Sequence, residues 1–189
     1  MNVIENIKTR RSIRKFDGRN IELNTLKQIV DTARYAPAAA NIQPLMFAVV
    51  NTKEKCSEIF PHTHWAKLLG ERGTPKKGEE PTAYIIVMSS KENRMNIEAD
   101  AAFAVENMVL AAWDMGIGSC ILGAINKTEI GKIINISENY EINYAVALGY
   151  PAQQSVAEDA VDSVAYYMDD ANTVHVPKRK LDDIMYIVK

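Results

Sequence analysis

The stretch Ile97-Glu98-Ala99-Asp100-Ala101-Ala102-Phe103-Ala104-Val105-Glu106-Asn107-Met108-Val109-Leu110-Ala111-Ala112-Trp113-Asp114-Met115 reads as the longest helix of the chain. Ala101, Val105, Met108 and Ala112 share one face, and Phe103, Val109 and Trp113 lie on others. A helix apolar on most sides is buried on most sides, so this one either runs through a large core or supplies a subunit interface. Gly116 stops it, where a left-handed residue is easiest.

On either side of that helix, Ala83 to Met88 reads as a buried strand, and Ile142, Tyr144, Val146 and Leu148 alternate as another, ended by Gly149-Tyr150-Pro151. Met46 to Val50 reads as a third buried strand. Val3, Ile4 and Ile7 have helical spacing over Asn2 to Thr9. Leu26, Ile29, Val30 and Ala33 mark a second helix that Asn24 can cap and Pro37 ends. Asn126-x-x-Glu129 resembles a capping box for a short helix with Ile130, Ile133 and Ile134 inward. Thr52 to Pro81 is mixed: a helix around Ile59, then the irregular Gly70 to Gly78, which reads as a flap or mobile loop.

The 189 residues fit one domain, 1–189, able to bury its core without staples. A net charge of -2 argues against a dedicated nucleic-acid binder. The apolar runs stop short of the ~20 residues of a membrane span. Two cysteines and no apolar signal region after the charged start point to the cytoplasm. Cys120, with apolar flanks, reads as a small core residue. His62 and His64 lack a third nearby ligand, so no metal is expected.

The chemistry concentrates in Arg10-Arg11-Ser12-Ile13-Arg14-Lys15-Phe16. Arg10, Ser12 and Arg14 alternate, so in an extended segment they leave one side of the chain, and two guanidinium forks with a hydroxyl suit a phosphate. A solvated basic face or a short nucleic-acid patch is the competing reading. Ala36-Pro37-Ala38-Ala39-Ala40-Asn41-Ile42-Gln43-Pro44 is a loop whose two amides, Asn41 and Gln43, suit the polar edge of a heterocycle; Asn41 alternatively closes a turn on its own backbone. Gly116-Ile117-Gly118-Ser119-Cys120-Ile121-Leu122-Gly123 fits neither a dinucleotide fingerprint nor a P-loop. It reads as a turn, a short strand, and then Gly123, either kept bare for the approach of something flat or an ordinary strand-end turn. Val176-Pro177-Lys178-Arg179-Lys180 is a second anion anchor or a solvated face. The apolar tail Leu181 to Val188 that follows it is expected to dock on the body or on a partner subunit.

In this order these stretches resemble the FMN-dependent nitroreductase family. The segment 10–16 looks like its N-terminal phosphate motif and the 36–44 loop like its A-P-S-x-x-N-x-Q-P loop. Gly116 to Cys120 with Gly123, Ala147 to Pro151, and Pro177-Lys178-Arg179 complete the series. The resemblance implies an α+β fold: three layers, with a mostly antiparallel central sheet between helices, in an intertwined homodimer whose C-terminal tail lies on the partner. It implies that Arg10 and Ser12, within the motif that includes Arg11, hold the FMN phosphate and ribityl chain with Lys178 or Arg179. Arg14 would lie near the pyrimidine edge. Asn41, with Gln43 beside it and the Pro37, Ala38 and Ala39 backbone, would arrive from the other subunit. The Leu122 and Gly123 amides would face the flavin ring.

The implied activity is ping-pong hydride transfer from NAD(P)H through FMN to a nitroaromatic, quinone or similar electron-poor acceptor, with no side chain as catalytic acid or base. A flavin carrier or sensor with little turnover, a dehalogenating or flavin-modifying relative, and an anion-binding module are the other readings. The chain has Ala38 and Ala39 where the family often has serines, and Leu45 where an aromatic residue is common. Lys67, Arg72, Lys76 and Lys77 are all open as the basic residue the family takes from its middle region.

Overall fold

The computed structural model describes residues 2–92 and 95–188; Met1 and Lys189, the ends of the expected domain, lie outside them. In chain order the elements are α1 (Val3–Thr9), α2 (Leu23–Ala33), β1 (Leu45–Val50), α3 (Lys53–Ile59), β2 (Ala83–Ser90), α4 (Ile97–Asp114), β3 (Gly118–Leu122), α5 (Lys127–Ile133), β4 (Tyr140–Gly149), β5 (Ser155–Asp159), β6 (Tyr167–Met168) and β7 (Val174–Lys178). Short 3-10 turns lie at Ala39–Asn41, Phe60–His62, Lys67–Gly73 and Leu181–Asp183.

The main sheet has the order β1-β2-β4-β3, and every neighbouring pair is antiparallel. Alternation along β2 sends its side chains into two cores. Ala83, Ile85 and Val87 pack with Leu26 and Ile29 of α2 and Val105 and Met108 of α4. Tyr84, Ile86 and Met88 pack on the opposite face with Ile59 of α3, Trp65 and Ile130 of α5. The result is the expected three-layer α+β fold. Each fully buried Ile or Leu in these cores contributes about 2 kcal/mol of transfer free energy.

Three details differ from the sequence reading. α4 is buried along a stripe rather than all round: Phe103 is 50% exposed. β1 is a half-buried edge strand with Met46 turned outward. Asn24 does not cap α2, because the Leu26 amide already bonds the Glu22 carbonyl at 3.2 Å and closes the first turn two residues ahead. The capping reading at Asn126 holds, its side chain accepting from the Glu129 amide at 3.2 Å.

A second sheet, in the order β5-β7-β6, was not anticipated; β7 runs parallel to β5 and antiparallel to β6. β5 lies against α1, and β6 lies beside the Lys67–Gly73 turn. Among the described residues no helix is long and apolar enough to cross a membrane.

Candidate functional site

The basic segment is held flat across the sheet by two glycines. Gly118 and Gly149 face each other in the β3–β4 register. A Cβ at Gly118 would meet the Ile13 side chain at 2.9 Å, and one at Gly149 would meet the Phe16 ring at 2.6 Å. Ile13 and Phe16 fill that room and are fully buried. Backbone bonds fix the course: Ile13 N–H to the Ser119 carbonyl at 2.8 Å, Phe16 N–H to Glu79 at 3.0 Å, Asp17 N–H to Tyr150 at 3.0 Å, and Ala152 N–H back to Lys15 at 2.9 Å.

With Ile13 inward, the alternating residues turn the other way. Arg10 Nε lies 3.5 Å from Glu106 Oε1 on α4. The Arg14 amide donates to Gln153 Oε1 at 3.1 Å, and its guanidinium carbon lies 5.4 Å from the centre of the Tyr166 ring. Arg14 also stands beside Cys120, whose thiol is pushed up by burial while the guanidinium opposes that shift. Cys56, equally a core residue, is pushed up to about 11 by burial. Arg10 Nε, Arg11 Nε, Arg14 Nε and Gln153 Nε2 are buried and make no hydrogen bond among the described residues, Arg10 Nε meeting Glu106 only in the 3.5 Å ion pair. Donors in this state suit an acceptor-rich ligand. Arg11 is turned elsewhere: its guanidinium donates to the Lys8 and Arg10 carbonyls and closes the C-terminal end of α1. Burial, and then the Arg10 charge, lower its pKa.

Beyond Ser119, which Ser12 bridges, β3 runs on to buried Leu122 and exposed Gly123. The nearest atom to a Cβ built on Gly123 is 3.8 Å away on Tyr144, an ordinary contact, and its φ is not positive. Neither backbone strain nor internal crowding therefore demands glycine there.

The 36–44 loop is held differently. Ala40, Asn41 and Gln43 have φ of 49°, 54° and 54°. For a non-glycine residue that conformation costs about 1 kcal/mol or more, and such strain collects at functional sites. Buried Asp100, in the first turn of α4, accepts the Ala39 amide at 3.1 Å. Gln43 Nε2 donates to Asn41 Oδ1 at 3.2 Å, so the two exposed amides bond each other. Among the described residues no hydrogen bond or ion pair joins this loop to segment 10–16. Pro37 and Ala38 line a small cavity of about 160 Å³ with Asp100 and Pro44.

Lys178, in register with Asp159, and Arg179, which donates to the Asp183 carbonyl, are exposed at the end of β7. Of the four open basic residues, Arg72 is engaged with the β6–β7 turn, donating to the Asp169 carbonyl at 2.6 Å and to Asn172 Oδ1 at 3.3 Å. Sequence reasoning missed Asp100, Gln153 and Tyr166. The one available signal was the acid in the first turn of an otherwise apolar helix, which also reads as ordinary dipole complementation.

An antiparallel sheet between helical layers, with a basic segment seated on glycines across one of its strands, defines a three-layer α+β domain. The chain belongs to the nitroreductase family, whose model matches residues 7–150. It is 30% identical over 171 residues to a Methanothermobacter thermautotrophicus protein provisionally named an NADH dehydrogenase/NAD(P)H nitroreductase, covering 86% of this chain and 84% of the relative. Among solved structures it is similar to a nitroreductase family protein of Clostridium novyi NT, at 27% identity and TM-score 0.67 over 80% of this chain and 87% of the other. It is also similar to a Desulfovibrio desulfuricans protein provisionally named a nitroreductase and solved in complex with FMN, at 22% identity and TM-score 0.69 over 100% and 98% of the two chains.

Proposed function

We propose that the protein is an FMN-dependent oxidoreductase working as a homodimer. The observation that carries this reading is the layout along β3, with the half-buried guanidinium groups of Arg10 and Arg14 where the basic segment crosses and the exposed Gly123 backbone just past the other end. Gly123 lies four residues on from Ser119, where the basic segment crosses, which is about 13 Å of extended chain. An elongated ligand with an anionic end and a flat end matches that layout. Bound FMN would supply two-electron chemistry between NAD(P)H and a nitroaromatic, quinone or similar electron-poor acceptor, in two half-reactions.

The chain's own residues bind and orient. Arg10 and Ser12 donate to the phosphate and ribityl chain, with Lys178 or Arg179 as a second cation. Arg14, with its backbone amide held by Gln153 and its guanidinium facing Tyr166, would supply positive charge that favours the reduced, electron-rich state of the ring. The Gly123 amide, just past the Leu122–Ala145 pair that ends the ladder, would present a donor to the ring edge, and Arg11 secures the segment from behind. No side chain is required as acid or base. Asn41, Gln43 and the Pro37, Ala38 and Ala39 backbone serve the site of a second copy.

The dimer reading is supported by apolar surface that this chain leaves uncovered. Tyr186 is 89% and Val188 81% exposed at the tail, and Val3 is 70% exposed on α1. An open groove of about 500 Å³ between α1, α2 and α4 is lined by Val3, Tyr35 and Leu110. Large apolar side chains left exposed in this way suit burial against a second copy.

The test is the visible spectrum of purified protein after saturation with FMN and desalting, followed by anaerobic addition of NADH or NADPH. Flavin bands that are retained and then bleach are expected. A colourless protein overturns the cofactor, and retained bands that do not bleach reduce the protein to a carrier.

A further inference from the structure

The second sheet lies beyond residues 7–150 of the family match and contains a charged cluster that the proposed flavin chemistry does not use. His175 on β7 stands between two carboxylates, with Nδ1 2.8 Å from Glu158 Oε2 and Nε2 3.2 Å from Asp169 Oδ2. Its ring stacks on Tyr167, with centroids 4.8 Å apart and planes within 6°. The Tyr167 hydroxyl donates to the other Glu158 oxygen at 3.0 Å. Glu158 comes from β5, Tyr167 from β6, Asp169 from the turn after β6, and His175 from the central strand, so the cluster ties every strand of the sheet.

An ionised carboxylate offers only acceptors, and a neutral imidazole carries a single N–H. Both contacts are hydrogen bonds at once only when the ring is protonated. Loss of that proton leaves a nitrogen lone pair facing a carboxylate oxygen. Two residues on, β7 reaches Pro177, whose nitrogen faces away from β5; the ladder there runs through Val174, which donates to the Gln154 carbonyl at 2.9 Å, and Lys178, whose carbonyl accepts the Ala160 amide at 2.7 Å. Lys178 and Arg179 follow immediately.

We propose that His175 is a positioning residue: as an imidazolium it cross-links β5 to the β6–β7 turn and so holds β7 in the register that presents Lys178 and Arg179 to the anionic end of the bound flavin. The latch stands on the cluster's geometry, and its effect on ligand affinity rests on the FMN reading above. Charged and titratable groups meet the cluster from each side: Glu158 and Asp159 on β5, Tyr167 on β6, Asp169 on the turn, and Arg72, which holds the Asp169 carbonyl from the Lys67–Gly73 turn.

The hydrogen bond to Glu158, then that to Asp169, raise the His175 pKa above the ordinary imidazole value of about 6.5. Glu158 is lowered first by His175, whereas Asp169 is lowered first by the Thr173 amide and then by His175. A raised imidazole contributes fully below about 6.5 and loses its contribution as pH rises through the folded value. The lowered carboxylates contribute above their ordinary range, near 4, and lose it as pH falls through their folded values. The latch is closed between those limits.

The experiment pairs two readouts across pH 5.5 to 9. The first is a histidine NMR titration of the full chain, whose three histidines are separated by assigning the signal lost in His175→Gln. His175 is expected to titrate above about 6.5 and to drop towards it in Glu158→Gln; titration at or below 6.5, or no change in Glu158→Gln, overturns the latch. The second is the FMN dissociation constant of the wild type, His175→Gln and Glu158→Gln. Wild-type affinity is expected to fall about fivefold as pH passes the measured His175 value, and His175→Gln is expected to lack that step. Deprotonation of the FMN phosphate affects all variants alike. Parallel profiles overturn the positioning role. A protein that binds no FMN at any pH refutes the cofactor reading and this role with it, while the NMR titration still decides the latch.

Discussion

The glycine that opens β3 and the one just past its end are used in opposite ways. At Gly118 and its partner Gly149 the missing side chains are replaced by Ile13 and Phe16, and the space is full. At Gly123, five residues on, the backbone is exposed and a methyl would meet only the Tyr144 ring, at an ordinary 3.8 Å. A glycine that seats a buried side chain reports on packing, whereas one that faces open space without a left-handed backbone reports on something outside the chain.

Filling the packed end has the largest expected effect. In Gly149→Ala the new methyl falls 2.6 to 2.9 Å from Phe16 atoms, and that ring is fully buried against both strands. Either the ring leaves its place or β4 shifts, at a cost of about 3 kcal/mol. Urea denaturation should show the midpoint falling with little change in slope. A stability within 0.5 kcal/mol of wild type would mean that segment 10–16 is not seated as described, since changes of about that size are typical of exposed sites.

The second test leaves the packing alone. Arg10 ends in a partly exposed ion pair with Glu106, which contributes little to stability. Arg10→Ala should therefore fold almost as well as wild type, yet lose about 2 kcal/mol of FMN affinity, roughly thirtyfold, if a charged hydrogen bond is removed. Flavin titration monitored by fluorescence measures it. Unchanged affinity would detach the phosphate from segment 10–16.

The contrast along β3 also explains what the sequence disclosed. The helical stripe of Ala101, Val105, Met108 and Ala112 is a local periodicity and recurs in the structure, whereas of the alternating Ile142, Tyr144, Val146 and Leu148 only the last three share a face, because a register shift opposite Val87 and Met88 turns Ile142 into the other core. Gly118 and Gly149 were visible as glycines, but their pairing depends on the β3–β4 register, which no local pattern encodes. Arg11 is indistinguishable from Arg10 and Arg14 by composition; its turn towards α1 follows from where that helix ends. Asp100 reads as a dipole-complementing acid, and only tertiary packing buries it against Ala39. The second sheet was hidden because β6 has two residues and the acidic charge of 152–170 masked any strand pattern. His175 finds Glu158 seventeen residues away and Asp169 six away, spacings that carry no signal in a sequence.

The open end gives the smallest effect on the fold and the sharpest on the comparison. In Gly123→Ala the methyl meets only Tyr144 at 3.8 Å, and the backbone there is not left-handed. Stability should hold within about 0.5 kcal/mol or rise slightly, because alanine restricts the unfolded chain more than glycine does. If a flat ring approaches this backbone, the methyl stands in its path, and FMN affinity should fall about tenfold, a difference of about 1.4 kcal/mol. The same variant therefore separates the two uses of glycine on one strand: lost stability with flavin binding intact would make Gly123 a second packing glycine, while lost flavin in an undisturbed fold would place the ring beside it.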